Sequence, residues 1–495
     1  MKTLRSLLSA IGIYDERVPQ ELTIQSICQH SGQCTPNSVF FAFTGLHTNG
    51  NLYIRQAIAN GAVCIISEQE IPVLAQSREI FIYQVEQSHR LFALMCASLY
   101  DDPQNTLAII GVSGTDGKST TCDYLHQILS KEGNTTGLLT TVSMDDGSGK
   151  VDSPYRQSTP EPDQLYAFLH RCVLNKVSFV VLECTSHALS DTFSRLAGIT
   201  FIGAIVTKVT SEHLEFHHSL EAYTQAKVNL VRALKSDGVL ISSTDNLKLD
   251  AFLEALHDRQ SAIVLGRDVP MRIEYMHYHG VIVEVLGRRI QTPVLLPSLA
   301  TNALLATFCA SSVLGIEPNR LLDHLVTLQP VKGRMQIVDN LLGLRVIIDF
   351  AHTADAYEGI FRFASRTSEG GDIIAVFGCA GERDTSKRAP MGRIANKYCS
   401  TIILTEEDPR KEGNQAIFSD LRFLMHNNAC TVWEIEDRRA AIRKALSIAQ
   451  SGDTLLFLGK GHETSIEREN GKIAWDELEE VHSALRDEEE KRTCR

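Results

Sequence analysis

At 495 residues the chain is long enough for about three domains of ordinary size. Its 43% hydrophobic and 22% charged residues describe a globular protein, and a net charge of −12 argues against a general nucleic-acid surface while leaving room for a local anion pocket. The 12 cysteines form no Cys-x-x-Cys pair, Ser6–Tyr14 lacks the flanks of a signal peptide, and no run approaches the ~20 apolar residues of a membrane span, so a cytoplasmic chain with reduced thiols and no membrane insertion is expected.

Residues 1–100 read as a small α/β domain, with a strand and turn in Ser38–Gly45, a helix in Leu52–Gly61 and a strand in Val63–Ser67. Asp101-Asp102-Pro103 is a turn cluster at a domain boundary. The next stretch, Leu107–Thr121, joins a short apolar run to the turn Gly114-Thr115-Asp116-Gly117-Lys118-Ser119-Thr120. An amphipathic segment follows, with Tyr124, Leu125, Ile128 and Leu129 on one helical face. Strand, glycine turn and helix N-terminus make a phosphate-binding loop: backbone N–H groups and the helix dipole face the phosphates, Lys118 reaches the terminal ones, and the Ser119 hydroxyl faces Mg²⁺. The strict Walker spacing is not met, because Val112 stands where the first glycine would.

Gln157-Ser158-Thr159-Pro160 is a polar turn, and Ser178–Glu183 is a buried-type strand that ends in a carboxylate, where a doubly wound sheet places metal ligands. Another apolar strand, Phe201–Thr207, runs into Lys208, Glu212, His213 and His217; Mg²⁺ prefers oxygen, so composition alone does not nominate His213. Lys227, after Tyr223 in a helical run, reads as a surface lysine. Residues 245–287 are strands and turns of low information, Thr301-Asn302-Ala303 opens an Ala-rich helix, and Gly333-Arg334-Met335 closes the region.

Beyond 335 the pattern is a parallel, doubly wound sheet with strands at 345–349, 373–377, 401–405, 431–435 and 454–458. Four strand exits carry polar clusters: Asp349 to Asp355, Gly378 to Asp384 with Arg383, Glu407-Asp408-Pro409-Arg410, and Gly459-Lys460-Gly461-His462-Glu463. Ligand sites of such sheets lie there. Glu477–Arg495 reads as a solvated helical tail.

From about residue 30 to 465 these motifs resemble the Mur ligase family, whose loop reads Gly-Thr-Asn-Gly-Lys-Thr-Thr. The resemblance implies a three-domain α/β fold: a UDP-substrate domain (1–100), a central domain with a P-loop ATPase-like parallel sheet (101–333) and a Rossmann-like amino-acid domain (334–495). It implies an ATP-dependent amide ligase that adds the third amino acid to UDP-N-acetylmuramoyl-L-alanyl-D-glutamate through an acyl phosphate, as a cytoplasmic monomer using ATP and Mg²⁺. Lys118, Glu183, His213 and Lys227 are then catalytic, Lys227 as a carbamate, and Ser119, Glu183, His213 and the carbamate hold metal. Residues 114–120 with Asn302, Arg334 and Asp349 bind ATP. Ser31, Gln157, Ser158, Thr159, Thr185 and Arg195 bind the UDP substrate, as does the stretch Thr44–His47. Arg383, Glu407, Asp408, Pro409, Arg410, Gly459 and Glu463 receive the amino acid. Arg410 puts meso-diaminopimelate first, since a guanidinium reads a second carboxylate; the acidic Glu407-Asp408, where the family has Asp-Asn, favours a diamine end such as that of ornithine or lysine. Departures at His30-Ser31-Gly32, Lys208, Glu212 and Leu299 keep two alternatives open: an amide ligase of another Mur or folylpolyglutamate type, and a weakened homologue that only binds.

Overall fold

The computed structural model describes residues 2–45, 48–71, 80–155, 157–210, 214–275 and 280–493. The chain divides into two compact units: Met1–Thr210 with Glu221–Leu265 and Phe308–Gly315, and Ser211–Leu220 with Gly266–Thr307 and Ile316–Arg495.

The first unit holds two sheets. The smaller has four parallel strands, Ser26–Cys28, Ser38–Ala42, Ala62–Ser67 and Phe81–Gln84. Its strand Ser38–Ala42 is buried throughout, as a continuous apolar run between covered faces requires. Cys28 and Cys34 meet here, with their sulfurs 3.0 Å apart. Asp101 and Asp102 both have left-handed φ, 62° and 50°, and so form the expected sharp turn before the larger sheet.

That sheet has eight strands in the order Ser261–Leu265, Leu234–Ser243, Phe201–Val206, Ala108–Ser113, Phe179–Glu183, Thr136–Leu139, Ser143–Asp145 and Val151–Asp152. Its first six strands run parallel, Ser143–Asp145 runs antiparallel to both of its neighbours, and Val151–Asp152 returns to the direction of the six. The register sets Val112 beside Glu183 and Ser113 beside Val206, so the phosphate loop leaves the sheet between the exits that carry Glu183 and Thr207.

In the second unit an antiparallel sheet (Met271–Tyr275, Val281–Val285, Arg288–Thr292) precedes a six-stranded one. The latter runs Gln336–Val338, Arg345–Asp349, Thr454–Leu458, Ile373–Phe377, Thr401–Leu404 and Thr431–Glu434, with only the first strand antiparallel among the pairs described. The five strands expected from sequence fall within a residue of these bounds. Period-2 alternation sorts their side chains. Ile347, Ala375, Phe377, Ile402 and Leu456 pack with helices Ala354–Thr367, Arg388–Tyr398 and Asn414–Arg422. Val346, Ile348, Ile374, Ile403 and Phe457 pack with Arg438–Ile448 and Glu477–Thr493. Helices on both faces make the sheet doubly wound.

Two expectations need correction. The Ala-rich helix starts at Pro297, not Thr301, because proline fits a helix's first turn; it ends at Leu314, is long and apolar enough to span a membrane, and has 67% of its length buried in the protein, as a core helix does. The C-terminal helix is not a solvated tail. Val481, Ala484 and Leu485 are buried in the core beside Arg438–Ile448, and Glu477 is 1% exposed.

Candidate active site

In the first unit, strand Ala108–Ser113 delivers the chain into Gly114–Gly117, and helix Lys118–Lys131 begins at once, with Gly117 as its left-handed N-cap (φ 84°). Gly114 (φ 146°) approaches the neighbouring strand exit so closely that a Cβ would lie 1.8 Å from Thr207 Oγ1, which excludes any side chain. The loop is held from three sides. Thr115 N donates to Lys208 O (2.8 Å), Thr207 Oγ1 to Asp116 O (2.8 Å) and Lys227 Nζ to Gly114 O (2.6 Å). Thr115 Oγ1 is 3.2 Å from the Tyr223 hydroxyl, and Lys118 Nζ donates to Thr115 O at 2.7 Å.

Glu183 is the hub of this end of the sheet. Its Oε2 accepts from Ser119 Oγ at 2.7 Å and from Thr141 N at 3.3 Å, and its carbonyl accepts from Thr159 Oγ1 at 2.7 Å. The Thr141 hydroxyl bonds Ser158 Oγ, Thr159 Oγ1 accepts from Thr185 N at 3.1 Å, and Arg195 donates to Thr159 O (3.1 Å) while pairing with Glu161. Burial holds the Arg195 guanidinium below the usual arginine value, against the pull of Glu161. Ser119, Ser158, Thr159, Thr185 and Arg195 thus join Glu183 in one network, while Gln157 is exposed. Lys227 is 1% exposed and lies 4.4 Å from the Tyr223 ring centroid, so the surface-lysine expectation from composition is overturned: its helix turns that position inward under the loop. Ser31 is buried in the smaller sheet region and donates to Gln56 Oε1 at 2.9 Å. His213 and the Leu46-His47 part of Thr44–His47 lie outside the described residues.

In the second unit the four strand exits interlock. Asp349 accepts from Met335 N and Ala351 N, both at 2.6 Å, and its carbonyl from Gly459 N at 3.0 Å. Arg334 stacks over Phe350 at 4.4 Å with its Nε buried and unpartnered among the described residues. Asn302 is buried on Pro297–Leu314. Gly381 N donates to Asp408 O (2.9 Å), and Lys460 Nζ bridges Asp408 Oδ1 (2.9 Å) and Glu463 Oε2 (2.6 Å). Burial works against the Lys460 ammonium, but Glu463 and Asp408 outweigh it and hold its pKa above the usual lysine value; burial pushes the Glu463 carboxyl up despite Lys460. Burial, then the charges of Arg334, Lys332 and Lys460, hold His462 well below an ordinary histidine. Arg410, at left-handed φ 52°, donates from Nε to Glu467 Oε2 (3.0 Å) and from an Nη to Gly381 O (2.6 Å). Pro409 and Glu407 are buried and Arg383 is exposed.

Comparison with known proteins decides the family. The Mur ligase middle domain matches residues 112–310, and the Mur ligase glutamate ligase domain matches 333–461. Over 487 residues the chain is 34% identical to the UDP-N-acetylmuramyl-tripeptide synthetase of Borreliella afzelii, with 94% of each chain covered. The chain belongs to the Mur ligase family. It is also 32% identical over 497 residues to the UDP-N-acetylmuramoyl-L-alanyl-D-glutamate–2,6-diaminopimelate ligase of Parabacteroides distasonis, covering 97% of this chain and 98% of that one. A solved structure of a ligase with that same name matches at TM-score 0.65 and 25% identity, over 99% of this chain and 100% of the other.

In this Mur ligase, sequence reasoning missed Thr141 and Glu161. The signal for Thr141 was present: Thr140-Thr141 follows Thr136–Leu139, the strand beside Phe179–Glu183, so its exit falls next to Glu183. The donor set fits Mg²⁺, since Ser119 and Glu183 bring a hydroxyl and a carboxylate oxygen to one point. Among the described residues there is no group of three or more His, Cys, Asp or Glu that could hold a metal ion, so the protein oxygens of Ser119 and Glu183 would be joined by other ligands.

Proposed function

We propose that this chain is the ligase that adds the third amino acid to UDP-N-acetylmuramoyl-L-alanyl-D-glutamate in peptidoglycan synthesis, with ATP converted to ADP and phosphate. The observation that carries the reading is the Ser119–Glu183 contact beside Lys118, in a chain that matches such ligases over nearly its full length.

In this reading the D-glutamate carboxylate attacks the γ-phosphate of ATP, ADP leaves, and the amine of the incoming amino acid displaces phosphate from the acyl carbon. Catalysis is positioning plus charge neutralisation. Lys118 turns from Thr115 O to the transferring phosphoryl group, whose oxygens the N–H groups of residues 114–120 receive. Ser119 and Glu183, with His213 and Lys227, would hold Mg²⁺, which when bound neutralises phosphate charge. Lys227 acts as a carbamate: its neutral amine adds CO₂ and releases a proton, and the remaining N–H still donates to Gly114 O. Asn302, Arg334 and Asp349 take the nucleotide, and the Nε of Arg334, buried and without a hydrogen-bond partner among the described residues, suits an anionic or carbonyl acceptor. Ser31, Gln157, Ser158, Thr159, Thr185 and Arg195 take the UDP-linked dipeptide. Arg383, Glu407, Asp408, Pro409, Arg410, Gly459 and Glu463 take the amino acid. Domain boundaries near 100 and 333, a monomer and a cytoplasmic location complete the reading.

The test is phosphate release by the full chain with ATP, Mg²⁺, the UDP-linked dipeptide and a diamino acid, with the tripeptide product identified by mass. Release that requires both acceptors is expected. Release with a folate acceptor instead, or none with any acceptor, would replace this reading.

A further inference from the structure

Two thiols of the smaller sheet are placed to react with each other. Cys28 ends strand Ser26–Cys28, and Cys34 ends the short helical turn Ser31–Gln33 that follows. Both are free, and their sulfurs lie 3.0 Å apart. A covalent S–S bond of ~2.05 Å would need them only about 1 Å closer.

The two sulfurs are not equivalent. Cys34 is 7% exposed and stands between Gly32-Gln33 and Thr35-Pro36, all four of them exposed. Cys28 lies on a strand paired along its whole length with Ser38, Val39 and Phe40. The hydrogen bond between the two, and then burial, push the Cys28 thiol up, and the charges of Cys34 and Asp163 add to this. The same bond holds Cys34 below an ordinary thiol. The shared proton therefore stays on Cys28, and the thiolate forms on the sulfur beside the exposed turn. Cys64 on strand Ala62–Ser67 and Cys96 on helix Ser88–Leu99 are 0% exposed, and burial pushes their thiols up, so they do not compete.

We infer that Cys28 and Cys34 are a thiol–disulfide switch, in which a small-molecule disulfide oxidises them to an intramolecular bridge that displaces the turn carrying Ser31. The Cys34 thiolate attacks one sulfur of the oxidant, giving a mixed disulfide and one free thiolate. Cys28 then loses its proton, its sulfur attacks that of Cys34, and the second thiolate leaves. The protein loses two electrons and two protons, and the oxidant departs as two thiols. The paired strand holds Cys28 in place, so the exposed turn takes up the movement of about 1 Å. Cys34 N donates to Ser31 O at 3.3 Å, which carries the pull to Ser31. Ser31 Oγ donates to Gln56 Oε1 and its carbonyl accepts from Asn60 Nδ2, both at 2.9 Å, and these bonds set its present position. The effect on binding rests on the assignment of Ser31 to the UDP-linked substrate, whereas the bridge itself does not.

Trypsin leaves both cysteines, and no third, on the peptide Val18–Arg55. The native full chain is treated with oxidised glutathione, its remaining thiols are alkylated, and this peptide is weighed. It is expected to escape alkylation, to be lighter by two hydrogens, and to regain both with dithiothreitol. Cys28→Ser should stop at a glutathione adduct on Cys34, and Cys34→Ser should react at least about tenfold more slowly. In the bridged chain, calorimetric affinity for the UDP-linked dipeptide should fall at least about threefold and recover on reduction, with ATP affinity unchanged. A native wild-type peptide that still takes two alkyl groups, or that bridges only once the chain is unfolded, overturns the inference whatever the variants do. A bridge that leaves dipeptide affinity unchanged overturns the switch and leaves the ligase reading intact. A reduced chain that neither binds nor consumes the dipeptide overturns the ligase reading, and the switch with it.

Discussion

The phosphate-loop end of the first unit and the strand exits of the second solve one problem with different chemistry. Around Glu183 a single carboxylate is surrounded by neutral donors: Ser119, Thr141 and, through its carbonyl, Thr159. Around Asp408 the exits are tied by ions, with Lys460, Arg410, Arg438 and Arg468 each holding carboxylates. Hydroxyls around one charge can yield to a metal and to phosphate oxygens at little cost, because no ion is stranded when they turn away. Buried ion pairs do not yield so easily, since removing either partner leaves an uncompensated charge. The first arrangement suits a site that exchanges partners during the reaction, and the second suits a frame that fixes the shape of a pocket.

The sharpest way to break that contrast is Lys118→Ala. The side chain is half-exposed and donates to the Thr115 carbonyl, so its loss should leave the fold intact while ATP turnover falls by at least about 1,000-fold. A folded variant with ordinary turnover would show that the loop does not handle phosphate. In the frame, Glu477→Ala should cost about 3–5 kcal/mol, because it strands Arg438, whose side chain is 0% exposed and which also serves Leu458 O. The paired replacement Arg438→Met with Glu477→Leu should cost much less, and unfolding midpoints that fail to separate the two would mean that the pair does not carry the frame.

Lys227 lies between these extremes, a buried cation in a region of neutral donors. Lys227→Ala should lower turnover about 100-fold, and a high-resolution map of the enzyme at neutral pH should show added density beyond Nζ. A bare ammonium together with full activity of the variant would remove the carbamate from the mechanism.

Legibility followed the same division. The second unit's central strands were readable to within a residue because each is a continuous apolar run buried on both faces. The edge strand Gln336–Val338 and the hairpin Ser465–Arg468 with Gly471–Ala474 were not read, being short and at least partly exposed, whereas the other edge strand, Thr431–Glu434, is largely exposed too and was found from its place in the α/β repeat. The C-terminal helix did carry a helical apolar spacing in Val481, Ala484 and Leu485, but its density of charge hid it. Among candidate site residues, those in contiguous motifs such as Gly114–Thr120 can be nominated from spacing. The burial of Lys227 and the internal pairing of Arg410 depend on where a helix and a hairpin dock, which spacing does not encode.

The smallest expected effect tests whether the ionic frame also governs stability with pH. His462 is 8% exposed, with its Nδ1 buried and unpartnered among the described residues, and Arg334, Lys332, Lys460 and His352 all act against its protonation. Its folded pKa lies well below the unfolded value of about 6.5, so between the two the unfolded chain binds the extra proton. The stability contributed by neutral His462 is therefore fully present above about pH 6.5 and is lost as pH falls toward the folded value, at up to about 1.4 kcal/mol per pH unit. Other groups act in or near this window, among them the Asp163 carboxyl, which burial raises. His89 in the first unit is also held low by burial, with the same sign, whereas the raised carboxyls of Glu463 and Asp163 act with the opposite sign. The informative quantity is consequently the difference between wild type and His462→Gln in unfolding free energy from pH 7 to pH 5. The variant should lose less stability on acidification, by roughly one proton's worth. Parallel curves over that range would mean that His462 is free to protonate in the folded chain, and that the cations of this frame do not reach it.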